Sequence, residues 1–272
     1  MLKIRILTAL VIFPATVAAV FLPPSWIFRL IIAVVLLTGS WEFRRLANLP
    51  GTVGGALWAV QILLLALMMY YWPVLKSSPL LILGAGVVAW LLMFSRLATY
   101  RDGETPGARY RQLGFLSALG ATTFCWYALS WLHGQERGPW VIFLLLLIIW
   151  ASDVGAYFSG KWLGKTKLAA VISPNKTWEG VVGGMLLAMA AAFAWSYLVA
   201  ELPIPAAALA GLSVLTSLTS VGGDLLISMH KRAVGLKDTG TLFPGHGGVL
   251  DRYDSLLAGA PWFALAYGIL AQ

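Results

Sequence analysis

Charge is what this sequence has least of. Only 11% of its 272 residues are Asp, Glu, Lys or Arg, while 60% are hydrophobic. A soluble domain carries roughly 25% charged residues. With a mean hydropathy of +0.82, a chain of this length could not bury its apolar surface in a water-soluble fold, and the class that remains is a polytopic membrane protein. Cysteine is nearly absent too. The single Cys125 lies in an apolar run, which excludes an intramolecular disulfide and a thiolate metal site and leaves a packing role. Internal repeats, a low-complexity tail and a linker to a soluble domain are also missing, so the expected fold is one all-α membrane domain.

Nine apolar segments are each long enough to cross a hydrocarbon core of about 30 Å as a helix. They lie near residues 4–22, 25–41, 52–72, 78–95, 113–133, 139–159, 178–200, 204–227 and 255–271, with Pro23, Pro24, Pro73, Pro139, Pro203 and Pro205 at boundaries. Lys3 and Arg5 before the first segment resemble the start of a signal peptide, but a consistent topology needs that segment as an uncleaved span. With the N-terminus inside, all of the 19 Lys and Arg residues except Arg29, Lys76 and Arg137 fall on the cytoplasmic side. That asymmetry is the positive-inside pattern. It accounts for the formal net charge of +8 without a nucleic-acid partner, and it puts the C-terminus outside. Trp41, Trp72, Trp140 and Trp178 near span ends are expected in aromatic belts, and His133 in an exposed outer loop. Gly54-Gly55 and Gly183-Gly184 are expected to let helices pack closely.

Ionisable groups divide the chain in two. Residues 1–135 read as a hydrophobic, lipid-facing scaffold. Residues 136–272 carry Asp153, Asp224 and a dense run from Gly222 to Ser255, and ionisable groups at membrane depth usually mark a site. The run holds four acids (Asp224, Asp238, Asp251, Asp254), four bases (Lys231, Arg232, Lys237, Arg252), His230 and His246, with Gly247 and Gly248 among its glycines. A solvated loop is one reading of such a run. Against it, Asp224, Ser228 and Lys231 share one helix face, as do Asp251 and Asp254. Carboxylates without thiolates suit a hard cation such as Mg²⁺, bases suit phosphate oxygens, and glycines let backbone N–H groups approach an anion. Together they describe phosphoryl or nucleotidyl transfer, often assisted by one or two metal ions. Upstream, Ser173 or Thr177 can cap the following helix with Glu179 in its first turn, and Lys176 either helps to hold a triphosphate or ends a loop. Asp153 is either a third acid of the site or the partner of a nearby lysine.

These residues carry a resemblance. Ser228-Met229-His230-Lys231-Arg232, then Lys237-Asp238, then His246-Gly247-Gly248-Val249-Leu250-Asp251-Arg252-Tyr253-Asp254 resembles the signature of the phosphatidate cytidylyltransferases, or CDP-diglyceride synthases. Asp153 to Lys161, Gly164-Lys165 and Ser173-Pro174-Asn175-Lys176-Thr177-Trp178-Glu179-Gly180 resemble a second block of that family. His230 and Tyr253 stand where the family pattern has an aliphatic residue. The resemblance covers about residues 150–272 and implies CTP and phosphatidic acid as substrates, CDP-diacylglycerol and pyrophosphate as products, and dependence on Mg²⁺. It implies Asp224 and Asp251 as the metal-binding pair, with Asp153 as a further candidate, and Lys231, Arg232, Lys237 and Arg252 as the groups that neutralise phosphates. Ser173, Lys176, Thr177, Ser228, Asp238, His246, Gly247, Gly248 and Asp254 are the expected substrate contacts. The setting is a bacterial-type inner membrane with the site facing the cytoplasm and membrane lipids around it; a homodimer stays open. A CTP-dependent lipid kinase and a transporter are the rival readings. The first need not carry the full signature, and the second would put its acids near mid-membrane between repeats.

Overall fold

The computed structural model describes residues 2–101, 106–198, 204–243, 245 and 247–271, with backbone alone at residues 2–7 and 9. Ten helices run in chain order: α1 (Leu2–Phe21), α2 (Ser25–Leu46), α3 (Gly51–Tyr70), the single turn α4 (Trp72–Leu75), α5 (Pro79–Thr99), α6 (Ala108–His133), α7 (Gly138–Leu163), α8 (Trp178–Leu198), α9 (Ala206–Ala233) and α10 (Leu250–Leu270). Prolines sit where the sequence leads one to expect them, in the first turn of α5 and α7 and just before α2, α3 and α9, positions where a missing N–H costs no helical bond. The chain is an all-α polytopic membrane protein. Among the described residues seven helices are long and apolar enough to cross a membrane: α2, α3, α5, α6, α7, α8 and α9. The nine expected spans are therefore matched by seven on this measure. The apolar run of α1 is shorter, Leu10–Phe21, and α10 carries Asp251, Arg252 and Asp254 in its first turns.

Several helices outrun their apolar segments at the end that carries the chemistry. At about 1.5 Å per residue, the 28 residues of α9 span about 42 Å, well beyond a hydrocarbon core of about 30 Å. Its last two turns hold Ser228 and Lys231 on a continuous ladder of helical bonds. Between α7 and α8 the chain forms a small antiparallel hairpin, β1 (Lys167–Ala169) with β2 (Ser173–Thr177), pairing Lys167 with Thr177 and Ala169 with Ser173. It had no counterpart in the sequence reading, because its strands are too short and polar to show a period.

The core is built around α6 and α10, and α10 packs against α2, α5, α6, α7 and α9. Trp90, Trp126, Tyr127, Leu144 and Phe263 are fully buried there, and Cys125 is a packing residue. Val34, Leu63, Leu81, Leu92 and Leu186 stay exposed, as lipid-facing side chains do. Helices gain little from apolar burial when lipid tails are as apolar as leucine, so close backbone approach matters more. It is most evident between α7 and α8. A Cβ at Gly184 would lie 2.7 Å from the Ser152 carbonyl oxygen, and one at Gly155 would lie 2.6 Å from that of Gly183.

Two expectations about side chains near helix ends are corrected. Trp72 is buried, not part of a belt; the Arg29 guanidinium stacks over its ring at 4.8 Å and Trp126 meets its edge. His133 is buried as the last residue of α6, where its ring meets the Ser25 hydroxyl at 2.9 Å and the Val20 carbonyl at 3.0 Å and stacks on Phe28. For His133, partners on α1 and α2 for both ring nitrogens allow burial; for Trp72, the cation on its face and the ring at its edge cover it. Trp41, Trp140 and Trp178 are exposed as expected.

Replacing Gly184 by Val forces α7 and α8 apart against backbone and should cost about 1–3 kcal/mol. Gly211→Ala, where a Cβ meets nothing within 4 Å, should leave the protein as stable or slightly more so. Thermal melting of the two variants in detergent checks the contrast, and equal midpoints would count against close α7–α8 packing.

Candidate active site

Four pieces of chain converge at one end of the bundle: the last turns of α9, the first turns of α10, the hairpin before α8, and α7. Asp224 lies on α9 one turn before Ser228, whose hydroxyl donates to its Oδ1 at 3.1 Å. The other oxygen of Asp224 pairs with the Lys176 ammonium at 2.5 Å, so the hairpin exists in part to bring a lysine to α9. One turn further along α9, Lys231 pairs with Asp251 Oδ1 at 2.9 Å. Asp251 Oδ2 accepts from the backbone N–H of Thr239 at 2.8 Å and from that of Gly248 at 2.9 Å, and lies 3.0 Å from the Thr239 hydroxyl, whose single proton is shared with the nearer Glu42 Oε2. Asp251 stands in the loop-side first turn of α10, ahead of the apolar run that begins at Leu256. Burial works against its ionisation, but the Lys231 ammonium and the N–H groups of Gly248 and Thr239 outweigh it and hold the carboxyl below the usual range.

Asp153 on α7 and Asp254 on α10 complete the acidic group. Each feels the charge of Asp224, and Lys176 offsets the repulsion at both. Asp153, Asp251, Arg252, Asp254 and Ser255 line a cavity of about 470 Å³ together with the apolar Ile12, Phe13, Leu146, Ile149 and Trp150. Acid and base thus meet an apolar slot between α1, α7 and α10, an arrangement that suits a substrate with a charged head and an apolar tail.

The remaining expected residues take several places. Thr177 is buried and its hydroxyl accepts from the Gly180 N–H at 3.1 Å, so it caps α8. Glu179 accepts from the Thr166 N–H at 3.1 and 3.2 Å and closes the hairpin. Ser173 begins β2 at the far end of the strand from Lys176. Arg232 reaches the Ile172 carbonyl at 3.3 Å and ties α9 to the hairpin turn. Lys237 and Asp238 are exposed on the loop. Gly247 has φ of +82°, and a Cβ there would lie 2.5 Å from Asp251 Oδ2, so a side chain would strain the backbone and displace the acid. His246 lies outside the described residues.

Two contributors were not legible in advance. Glu42, at the loop end of α2, is buried and accepts from the N–H groups of Val249 at 3.0 Å and Leu250 at 2.9 Å and from the Thr239 hydroxyl at 2.7 Å. No local pattern in the sequence singles it out. His230 is buried and sits between the Arg96 guanidinium at 3.2 Å and the Tyr110 hydroxyl at 2.7 Å. Tyr110 also donates to the Leu46 carbonyl at 2.7 Å. One consistent arrangement has His230 Nδ1–H donating to Tyr110 and Nε2 accepting from Arg96. The histidine that departs from the aliphatic pattern is thus the joint of α2, α5, α6 and α9. Arg96, expected in a cytoplasmic connection, belongs to this joint.

The family described as the cytidylyltransferase family matches residues 3–270. A phosphatidate cytidylyltransferase of Pseudomonas aeruginosa is 38% identical over 267 residues, which cover 97% of this chain and 96% of the relative. Enzymes of the same name from Haemophilus influenzae and Bacillus subtilis are 45% identical over 138 residues and 46% identical over 134. These shorter matches cover 50% and 48% of this chain, and 48% and 49% of the relatives.

His230→Leu should cost about 1–3 kcal/mol, the penalty for leaving a buried polar group without its partner, because Arg96 loses an acceptor inside the bundle. Combining it with Arg96→Met should recover part of that loss. Melting temperatures of the single and double variants test this, and strict additivity would break the proposed link.

Proposed function

The chain belongs to the cytidylyltransferase family and is a phosphatidate cytidylyltransferase by class, and from that premise we propose that the acid and base cluster around Asp224 and Asp251 carries the reaction. It makes CDP-diacylglycerol from CTP and phosphatidic acid in a bacterial-type membrane. In the proposed chemistry a phosphate oxygen of the lipid bonds to the α-phosphorus of CTP. The bond from that phosphorus to the bridging oxygen breaks, and pyrophosphate leaves with the electron pair. The lipid phosphate is already ionised near neutral pH, so no general base is assigned.

The observation that carries this reading is the pairing of Lys176 with Asp224 and of Lys231 with Asp251, the last of which lines a cavity that also has apolar side chains in its lining. Both lysines are held where a triphosphate could draw them off the acids, leaving oxygens for a cation. The donor set fits Mg²⁺: it is all oxygen, and among the described residues no three His, Cys, Asp or Glu side chains gather closely enough to hold a metal by themselves. That is what a cation bound through one or two carboxylates plus substrate phosphates requires. Asp224 and Asp251 would hold it, with Asp153 as the third candidate, and one ion or two would neutralise charge gathering on the transferred and leaving phosphates. Lys176, Lys231, Arg232, Lys237 and Arg252 are assigned to phosphate oxygens. The apolar lining residues Ile12, Phe13, Leu146, Ile149 and Trp150 are assigned to the acyl chains. The loop charges favour an N-terminus and an active site on the cytoplasmic side, where CTP is available.

Purified protein given labelled CTP and phosphatidic acid should release pyrophosphate and yield a labelled lipid, and release of CDP instead would sink the assignment. Asp224→Asn and Asp251→Asn should each lower turnover at least about 100-fold, since several kcal/mol of charge stabilisation is at stake, and a chelator should abolish it. Either variant with full activity would overturn the metal assignment.

Orientation has its own test. Cys125 is buried, so a Leu242→Cys variant offers one exposed thiol on the loop. An impermeant maleimide should label it in inverted vesicles and not in intact cells. Labelling from outside would reverse the topology.

A further inference from the structure

The site reading uses α7, α9, α10 and the hairpin; the acid of α2 remains unexplained by it. Glu42 is 9% exposed, a costly place for a carboxylate without good partners, and its partners are unusually specific. Val249, at the N-cap of α10, provides no side-chain cap, so the first N–H groups of that helix need acceptors from elsewhere. Glu42 supplies them across the bundle, Oε1 to Val249 and Oε2 to Leu250. Its charge also sits at the positive end of the helix dipole. The same Oε2 accepts from the Thr239 hydroxyl at 2.7 Å, while the Thr239 N–H donates to Asp251 Oδ2 at 2.8 Å. A Cβ on Gly240 would come within 2.5 Å of Glu42 Oε1, so the loop presses directly on this carboxylate.

We infer that Glu42 is a positioning residue for the reaction, holding Asp251 through Thr239 and the start of α10. With Thr239 and Gly248 fixed, Asp251 Oδ2 is saturated by protein donors, and Oδ1, the oxygen on Lys231, is the one left to change partner. This rests on the assignment of Asp251 as a cation ligand.

The test uses the full chain in detergent, with Mn²⁺ as probe and a CTP analogue carrying a methylene bridge between its α and β phosphates, followed by the electron paramagnetic resonance of free Mn²⁺. Glu42→Gln puts an amide NH₂ against an N–H donor, and Thr239→Val removes the hydroxyl. Each should weaken Mn²⁺ binding on the order of tenfold, as loss of an outer partner of a ligating group does. The double variant should bind only a little more weakly than either single one, since the two act in one chain of contacts. Thr239→Ser, which keeps the hydroxyl, should bind as wild type does; a general loss of packing would not be rescued in this way. Wild-type Mn²⁺ affinity in Glu42→Gln, or effects that multiply, would overturn the inference. If Glu42→Gln does not fold, the Thr239→Ser and Thr239→Val pair decides it, and equal affinities overturn it. A wild-type protein that binds no Mn²⁺, or turns over no CTP, fails at the earlier step and overturns the site assignment itself.

Discussion

A carboxylate at the edge of a hydrocarbon layer has to keep a cation or several N–H donors beside it, and this bundle is arranged around that requirement. Asp224 is kept ionic by a lysine delivered on a hairpin, and Asp251 by a lysine one turn along α9 together with donors from the loop. Because each pair joins two different elements, the ion pairs also fix how those elements meet. For the mostly covered Lys231–Asp251 pair, turning α10 on its axis would leave a buried charge without its partner, at considerable cost.

The same pairs give the site its chemical character. An exposed lysine–carboxylate pair contributes little to stability, yet here Lys231 and Asp251 are mostly covered, with side-chain exposures of 12% and 5%. In the proposed reaction such a pair would stand between two arrangements, with a triphosphate as the ammonium's alternative partner and a divalent cation as the carboxylate's. Electrostatic work done before substrate arrives is the preorganisation that phosphoryl-transfer sites depend on.

Much of this was legible in the sequence, for physical reasons. A span of apolar residues bounded by prolines has few structures open to it, because in lipid its backbone groups must be satisfied within the segment. Asp224, Ser228 and Lys231 were readable as one face because a helix has a fixed period. The close approach of Gly184 to Ser152 could likewise be anticipated from two adjacent glycines in an apolar run. What stayed hidden depends on contacts across long stretches of chain. Glu42 meets Thr239 and Leu250 roughly two hundred residues away, and no local pattern encodes that distance. His133 and Trp72 were misplaced for the same reason, since a ring near a span end can face lipid headgroups or turn inward to a partner, and only the neighbouring helix decides.

The two halves of the chain then do different work toward one centre. The C-terminal half carries the acids, the bases and the glycine loop, in a run compact enough to be recognised as a pattern. From the N-terminal half, the buried Glu42 and the half-buried Arg96 meet that run, one at the start of α10 and one at His230 near the end of α9. A helix end inside a bundle must find acceptors for its N–H groups, and a buried histidine must find partners for both nitrogens. Those needs are met from α2, α5 and α6. A scaffold helix in a membrane enzyme can therefore hold the reacting helices in register by the few polar groups it places at their ends, in addition to the apolar side chains it packs into the core.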